Sequence, residues 1–332
     1  MSQTITVFSP AKVNLHLAIG PRREDGYHDA RSIMQALSLH DVVSLRAEEG
    51  QPGAGLTVDV TCAVHEGVAP LDIPAEKNIA YKAVMRLADA LGRAADEHIA
   101  IHIEKHIPHA AGMGGGSSNA AAAMLGACRL WDVDPADPLV AKVASSIGAD
   151  VPFFLFGGCV CLGDKGDVFE RSLVSAKGTV VLVKLDEGVS TKDAYGAFDA
   201  NPQPVPELFA QQAATAEDAA DVSLFNNLAP ASEAVLPELA EVRAWLASQP
   251  GVAKDPRTGE PRVLLSGSGS ASFAIMEEGP DALKAACAMV SAAKLKGWWA
   301  RSCSFSPAGA RVIEKSGKPG ARTNLGAVHK SW

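Results

Sequence analysis

Apolar and polar positions alternate with a period of two in several stretches of the first 160 residues. "TITVFSP" and "VNLHLAIG" read as two strands, and "DVVSLRAE", "GLTVDVTC" and "HIAIHIEKHI" follow the same pattern. In the last, Ile99, Ile101 and Ile103 share one face with Lys105 next in register, while His98, His102 and Glu104 share the other. "NIAYKAVMRLADALG" changes to helical spacing and meets a glycine stop at Gly92, and a second helix is expected from about Ser118 to Trp131. In the second half, "GTVVLVKL" and "SASFAIME" read as buried strands, and "SEAVLPELAEVRAWLASQ" and "DALKAACAMVSAAKLKG" as amphipathic helices. Strands compatible with antiparallel pairing, with helices between them, predict an α+β fold.

Punctuation divides the chain. Residues 1–168 are expected to form an N-terminal domain and 169–312 a C-terminal α+β domain. The stretch 200–222, rich in Pro, Ala, Gln and acid, reads as a surface insertion with one short helix. The basic, Gly- and Pro-containing tail 313–332 is expected to be disordered.

The composition, 47% hydrophobic and 20% charged over 332 residues, is that of a globular chain with a sizeable core. A net charge of −8 argues against a nucleic-acid partner, though a local cationic site can still hold a small anion. No apolar run is long enough to span a membrane and the N-terminus has no signal-peptide pattern, so a cytoplasmic protein, monomer or homodimer, is expected. Six scattered cysteines include no CxxC pair. Cys159 and Cys161, on one face of an apolar run, read as small buried residues.

Four stretches carry candidate chemistry. "HAAGMGGGSSNAAAAMLGA" runs a glycine turn into a helix. Glycine lets a ligand approach the main chain, and a helix start offers unsatisfied amides with partial positive charge, so the pair is suited to phosphate. Ser117 and Ser118 either cap that helix or give hydroxyls to the anion. The run is neither a Walker A loop nor a dinucleotide fingerprint. "SPAKVNLHL" places Lys12 and Asn14 on one strand face; Lys12 is either a solvated surface group or a cation that offsets charge on a transferring phosphoryl group. "IGADVPFFLFGG" sets Asp150 between a helix end and an apolar strand, as a helix cap or as a general base that needs a partner such as Lys12. "REDGYHDARSI" adds a turn followed by Tyr27 and His28.

The order of "PAKVNLHL", the Gly-Ser loop, "GADVPFF" and "LLSGSGSASFAI" resembles the GHMP kinase superfamily. "REDGYH" and "VSTKDAYGAFD" narrow the resemblance to the family of 4-diphosphocytidyl-2-C-methyl-D-erythritol kinases, over residues 5–200 and 224–312. The resemblance implies two domains with the active site in the cleft between them, and ATP-dependent phosphorylation of a small-molecule 2-hydroxyl on a cytidine diphosphate methylerythritol. Its alternatives are another GHMP small-molecule kinase or an inactive nucleotide-binding paralogue. Lys12 and Asp150 are the implied catalytic pair. Ala111, Gly112, Met113, Gly114, Gly115, Gly116, Ser117 and Ser118 would wrap the ATP phosphates, and Asn78 would sit near adenine. Asn14 would contact the erythritol arm, Tyr27 would stack on cytosine, His28 would bond its edge, and Tyr195 would form the opposite wall. Mg²⁺ is implied with the nucleotide, with no protein ligand assigned beyond the hydroxyl of Ser117 as a candidate. The chain departs from the family pattern at Ala110, where many members carry glycine, and at Asp164 and Asp167, where glutamates are usual.

Overall fold

The structure is a computed structural model that describes residues 3–313 apart from 66, 71 and 72. The expected disordered tail, 313–332, lies outside the described residues except for Ile313.

In chain order the elements are β1 (Thr4–Arg22), β2 (His28–Glu49), β3 (Leu56–Val64), α1 (Ile79–Ala90), β4 (Glu97–Lys105), α2 (Gly115–Trp131), α3 (Pro138–Ile147), α4 (Val151–Phe156), β5 (Cys159–Gly163), β6 (Val168–Leu173), β7 (Thr179–Lys184), α5 (Thr191–Ala200), α6 (Glu207–Thr215), β8 (Phe225–Asn226), α7 (Ala229–Val235), α8 (Glu238–Ala247), β9 (Val263–Leu265), β10 (Ala271–Ile275), α9 (Ala282–Leu295), β11 (Trp299–Ser304) and β12 (Arg311–Ile313). An eight-stranded sheet runs β12-β1-β2-β4-β3, with β5 joining β2 to β6 and β8 joining β1; a four-stranded sheet runs β11-β7-β10-β9. The two sheets with their helices make the α+β architecture that the patterning predicts.

The first sheet does not end at 168. β6 begins there and pairs with β5, so the change of sheet falls between β6 and β7, while β8 and β12 return to the first sheet from the second half.

The two strands expected near the N-terminus are one. β1 carries through Ser9-Pro10-Ala11 by a register shift between Pro10 and Lys12, and a second lies between Asn14 and His16. Such bulges let a strand bend and re-aim side chains without losing its ladder. From Ser9 to Leu17 β1 is buried throughout, so Lys12 and Asn14 lie inside the protein and Lys12 is no solvated surface group.

The α2 helix is buried nearly all round, at Ala120–Ala123, Met124, Ala127 and Cys128. Its alanines and Gly126 answer a steric demand: a side chain at 126 would collide with Leu45 of β2. Small residues bring the helix close to the sheet, which places its N-terminus beside Lys12.

Three elements differ from expectation. "VPFFLF" is the helix α4, with Pro152 in its first turn and Phe153 and Phe154 fully buried; a six-residue apolar run carries too little periodicity to separate buried strand from buried helix. The single helix expected across 232–249 is broken between Val235 and Glu238, at Leu236-Pro237. The stretch 200–222 is also no surface insertion. Ala213, Ala216, Ala219 and Val222 pack into the core with Cys159, Cys161 and Leu173, and Arg171 donates to the carbonyls of Ala213 at 2.5 Å and Ala216 at 3.2 Å, holding the end of α6. Its polar composition describes only its outer face.

Cys159 and Cys161 are buried, as expected; burial pushes the Cys161 thiol up to about 11 and that of Cys159 higher still.

Candidate active site

The glycine loop lies where the two sheets meet. From the second sheet, Ser266 Oγ donates to the Gly112 carbonyl at 2.9 Å, and the amides of Ser270 and Ala271 donate to the carbonyls of Ala110 and Ala111 at 3.2 and 3.1 Å. From the first, the Lys12 amide donates to the Met113 carbonyl at 3.0 Å. Met113 and Ala111 are buried anchors, so they offer main chain rather than side chain to a ligand.

Gly112 and Gly114 both have left-handed backbones, with φ of 68° and 69°. A Cβ on Gly112 would strike the Ser266 carbonyl, and one on Gly114 would lie 2.6 Å from Phe154 Cζ and 3.2 Å from Lys12 Cγ. Gly114, not a serine, is the N-cap of α2. The helix starts at Gly115, three residues before the expected position, and the amides of Gly115, Gly116 and Ser117 form its first turn, which lacks intrahelical acceptors. Ser117 is half-buried, whereas Ser118 is fully buried and accepts from Ser9 Oγ at 2.8 Å beneath the loop. Ser118 thus braces the helix from below and does not cap it.

Under the loop is a polar network that the sequence pattern did not reveal. The carboxylate of Asp41, fully buried, accepts from the amides of His106 and Ile107 at 2.7 and 2.8 Å, from Asn119 Nδ2 at 2.9 Å and from Lys105 Nζ. Lys105 Nζ also donates to Asn119 Oδ1 at 2.9 Å, and Asn119 Nδ2 to Ser9 Oγ at 2.9 Å. A Cβ on Gly115 would lie 3.4 Å from Lys105 Nζ, so this cation sits directly behind the first turn of α2. The one available signal was Lys105 on the apolar face of β4, which requires a buried partner.

Lys12 Nζ donates to Asn14 Oδ1 at 2.7 Å and lies 3.6 Å from Asp150 Oδ2. Lys12 is 4% exposed while the Asp150 side chain is 31% exposed, which leaves the carboxylate open to a ligand on the side away from the lysine. Asp150 stands at the start of α4 without capping it by its side chain, so its oxygens are not used by the helix. Asn14 Nδ2 donates to Ser32 Oγ at 2.8 Å, and Ser32 in turn to the His16 carbonyl at 3.2 Å, which fixes the amide that aims Lys12. A Cβ on Gly267 would come within 3.6 Å of Asn14 Oδ1 and 3.7 Å of Gly112. Lys12, Asn14, Asp150 and the glycine loop therefore share one small space.

The candidate base-recognition residues lie on its rim. Tyr27 is 58% exposed, and Lys165 Nζ stands 4.4 Å over its ring. Arg23 pairs with Asp25, Asp29 and Asp164, tying the "REDGYH" turn to the "GDKGD" turn. His28 is buried, its Nδ1 3.0 Å from the Gly20 carbonyl and its Nε2 3.2 Å from Asp199 Oδ1. Tyr195 packs on His28 with ring centroids 5.2 Å apart. Burial, and then the carboxylate of Asp150, raise its hydroxyl above the usual tyrosine range. Asp199 is a second residue that sequence reasoning missed. Asn78 is the N-cap of α1: its Oδ1 accepts from the Ala80 amide at 2.9 Å, and the following Ile79 faces Gly116.

Comparison with known proteins gives this geometry a lineage. Residues 78–158, from the cap of α1 through the glycine loop and Asp150 to the end of α4, match the family described as GHMP kinases N terminal domain. The chain is 35% identical to 4-diphosphocytidyl-2-C-methyl-D-erythritol kinase of Desulfitobacterium hafniense (strain Y51), over 85% of this chain and 90% of that one. It is 35% identical to the protein of the same name from Nocardia farcinica (strain IFM 10152), over 93% and 96%. A crystal structure of 4-(cytidine 5'-diphospho)-2C-methyl-D-erythritol kinase superposes with a TM-score of 0.68 at 29% identity, covering 92% of this chain and 99% of that one. A homoserine kinase from Cytophaga hutchinsonii, at 20% identity and a TM-score of 0.63, shares the fold. Among the described residues no helix is long and apolar enough to cross a membrane. By fold, by the placing of the glycine loop and by these likenesses, the chain belongs to the 4-diphosphocytidyl-2-C-methyl-D-erythritol kinase family of the GHMP kinases.

Proposed function

We propose that the protein transfers the terminal phosphoryl group of ATP to the 2-hydroxyl of 4-diphosphocytidyl-2-C-methyl-D-erythritol. The observation that carries the reading is the 3.6 Å approach of Lys12 to Asp150 beside a glycine turn that admits no side chain at Gly112 or Gly114.

The residues present fit a nucleotide. Gly112 and Gly114 leave no room for a Cβ, so a phosphate meets backbone amides and the positive end of α2. ATP bound there would supply the phosphoryl group and Mg²⁺ would neutralise phosphate charge, with Ser117 Oγ the candidate hydroxyl to hold the metal. Asn78 and the N-terminus of α1, next to Gly116, border the adenine end.

Asp150 accepts the hydroxyl proton as the new O–P bond forms and ADP leaves, so the proton ends on the carboxylate. Lys12 pairs with the Asp150 carboxylate and offsets charge that develops on the acceptor oxygen. Asn14 holds Lys12 in register, and the remaining amide hydrogen and lone pair are available to the erythritol arm. Tyr27 and Tyr195 provide aromatic faces for the cytosine, and His28 turns from Asp199 to bond its edge through Nε2, with Nδ1 held at the Gly20 carbonyl.

An ADP-release assay that offers this substrate beside homoserine and mevalonate tests the reading. Turnover with the cytidylyl compound alone is expected. Asp150→Asn is expected to lower kcat by about 10²- to 10⁴-fold with the KM for ATP little changed. Turnover only with homoserine or mevalonate, or near-normal kcat in Asp150→Asn, overturns it.

A further inference from the structure

The β3–β4 pair ends on a cluster that phosphoryl transfer does not use. His65 directly follows β3, Glu104 is the penultimate residue of β4, and His106 follows Lys105. One ligand atom from each side chain lies within 4.8 Å of the other two. The imidazoles of His65 and His106 stack at 3.8 Å between centroids with 18° between planes, and His65 Nε2 lies 3.6 Å from Glu104 Oε2.

The backbone holds these three positions together. The His65 amide donates to the Lys105 carbonyl at 3.0 Å, extending the parallel register of β3 and β4 by one residue. The His106 amide donates to the buried carboxylate of Asp41 at 2.7 Å. Two of the three side chains thus project from a sheet edge pinned to the protein's most buried polar network, and the third continues a strand in register. These bonds fix the backbone of the three positions and leave the side chains to adjust.

We propose that His65, Glu104 and His106 form a binding site for one divalent transition-metal ion of the zinc, cobalt or nickel class. Two imidazoles and a carboxylate are the donors these ions take, with water completing the coordination. Magnesium prefers oxygen ligands and its own waters, so the Mg²⁺ that accompanies a nucleotide does not compete here.

The stack must open to admit the ion. Parallel rings point their nitrogens along parallel lines, whereas tetrahedral zinc places its ligand atoms about 3.3 Å apart on converging lines. His65 is the ring that moves. Its side chain is 45% exposed and rotates into water without disturbing the core, while His106 stays anchored through its amide.

Calorimetric and absorption titrations of the full-length protein with Co²⁺ and Ni²⁺, in excess Mg²⁺, test the site. One saturable equivalent is expected. His65→Ala, Glu104→Gln and His106→Ala are each expected to weaken it at least about tenfold. His98→Ala, whose imidazole faces Asp59 instead, should leave it unchanged. The cobalt spectrum should lack a thiolate charge-transfer band, since no cysteine belongs to the set. His65→Ala removes an exposed side chain, so its binding defect stands even if His106→Ala fails to fold. Absence of saturable binding, equal affinity in His65→Ala and Glu104→Gln, or a thiolate band that vanishes in Cys62→Ser overturns the proposal.

Discussion

Replacing Gly114 by alanine perturbs the site through one methyl group, and the structure sets the size of the effect. The backbone there has φ of 69°, a conformation that costs an L-residue about 1–2 kcal/mol. The new Cβ would lie 2.6 and 2.9 Å from ring atoms of Phe154 and 3.2 Å from Lys12 Cγ. Phe154 is fully buried and cannot swing aside, so overpacking adds about 1–3 kcal/mol. The sum, roughly 2–5 kcal/mol, is below the stability of a typical folded chain, so the variant folds with Tm lowered by roughly 4–10 °C. The strain is relieved partly by moving Lys12, and if Lys12 acts as proposed, displacing it by about 1 Å costs on the order of 10²-fold in kcat. Gly116→Ala is the control in the same loop. Gly116 is not in the left-handed region, and its Cβ would meet nothing nearer than Ile79 Cγ2 at 3.6 Å, so alanine there should hold or raise Tm. Thermal unfolding of both variants and steady-state kinetics of Gly114→Ala make the comparison. Equal Tm for the two, with Gly114→Ala turning over normally, would refute the claim that the loop is a rigid, fully packed turn.

Asp41→Asn leaves Lys105 as a buried cation without its carboxylate, and a loss of about 3–5 kcal/mol is expected; an unchanged denaturation midpoint would remove the network from the account. His16 is buried with neither ring nitrogen bonded, and burial, then the charge of Arg31, lower its pKa from 6.5 to about 4. Because the folded-state value is the lower one, the unfolded chain takes up the proton first. Stability is thus complete above pH 6.5 and falls by at most roughly 3 kcal/mol as pH drops towards 4. His16→Leu should flatten that slope in Tm against pH, and an identical slope in the variant would exclude His16 as its source.

What the sequence made legible was what depends on near neighbours. Alternation placed Ile99, Ile101 and Ile103 in the core and set Lys12 and Asn14 on one strand face, because side-chain direction in a strand is fixed by parity. Glycines followed by serines and alanines marked a helix start open to an anion, because that property is local to four or five residues. Parity could not say that β1 continues through Pro10, since the bulge that accommodates it depends on β2, the neighbouring strand. Nor could it pair Asp41 with Lys105 and Asn119, 64 and 78 residues away, or Asp199 with His28. The same limit hid the core role of 213–222, where alanines read as filler until their neighbours are known.

The late glycine run, "SGSGS", shows why the local reading of a flexible phosphate loop is incomplete. Ser266, Ser270 and Ala271 bind three successive carbonyls of the loop, at Gly112, Ala110 and Ala111. Asn226 then fixes this run by donating to the carbonyls of Leu265 and Gly267 at 2.9 and 2.8 Å. Asn226 belongs to β8, which pairs in parallel with β1 at His16 and Leu17, two to three residues past Asn14. The chain of contacts closes on itself: Lys12 and Asn14 on β1, the glycine turn, the second glycine run, Asn226, and β1 again. Glycine serves in this ring to let backbones touch, as the collisions at Gly112 and Gly114 require, and not to let the loop move. Amide donors fixed in advance of the reaction stabilise developing charge without a cost of reorganisation, which is the property phosphoryl transfer needs from its site. The proposed catalytic geometry is therefore a joint product of both sheets, and a substitution that loosens Asn226 acts on Lys12 through β1, with which β8 pairs.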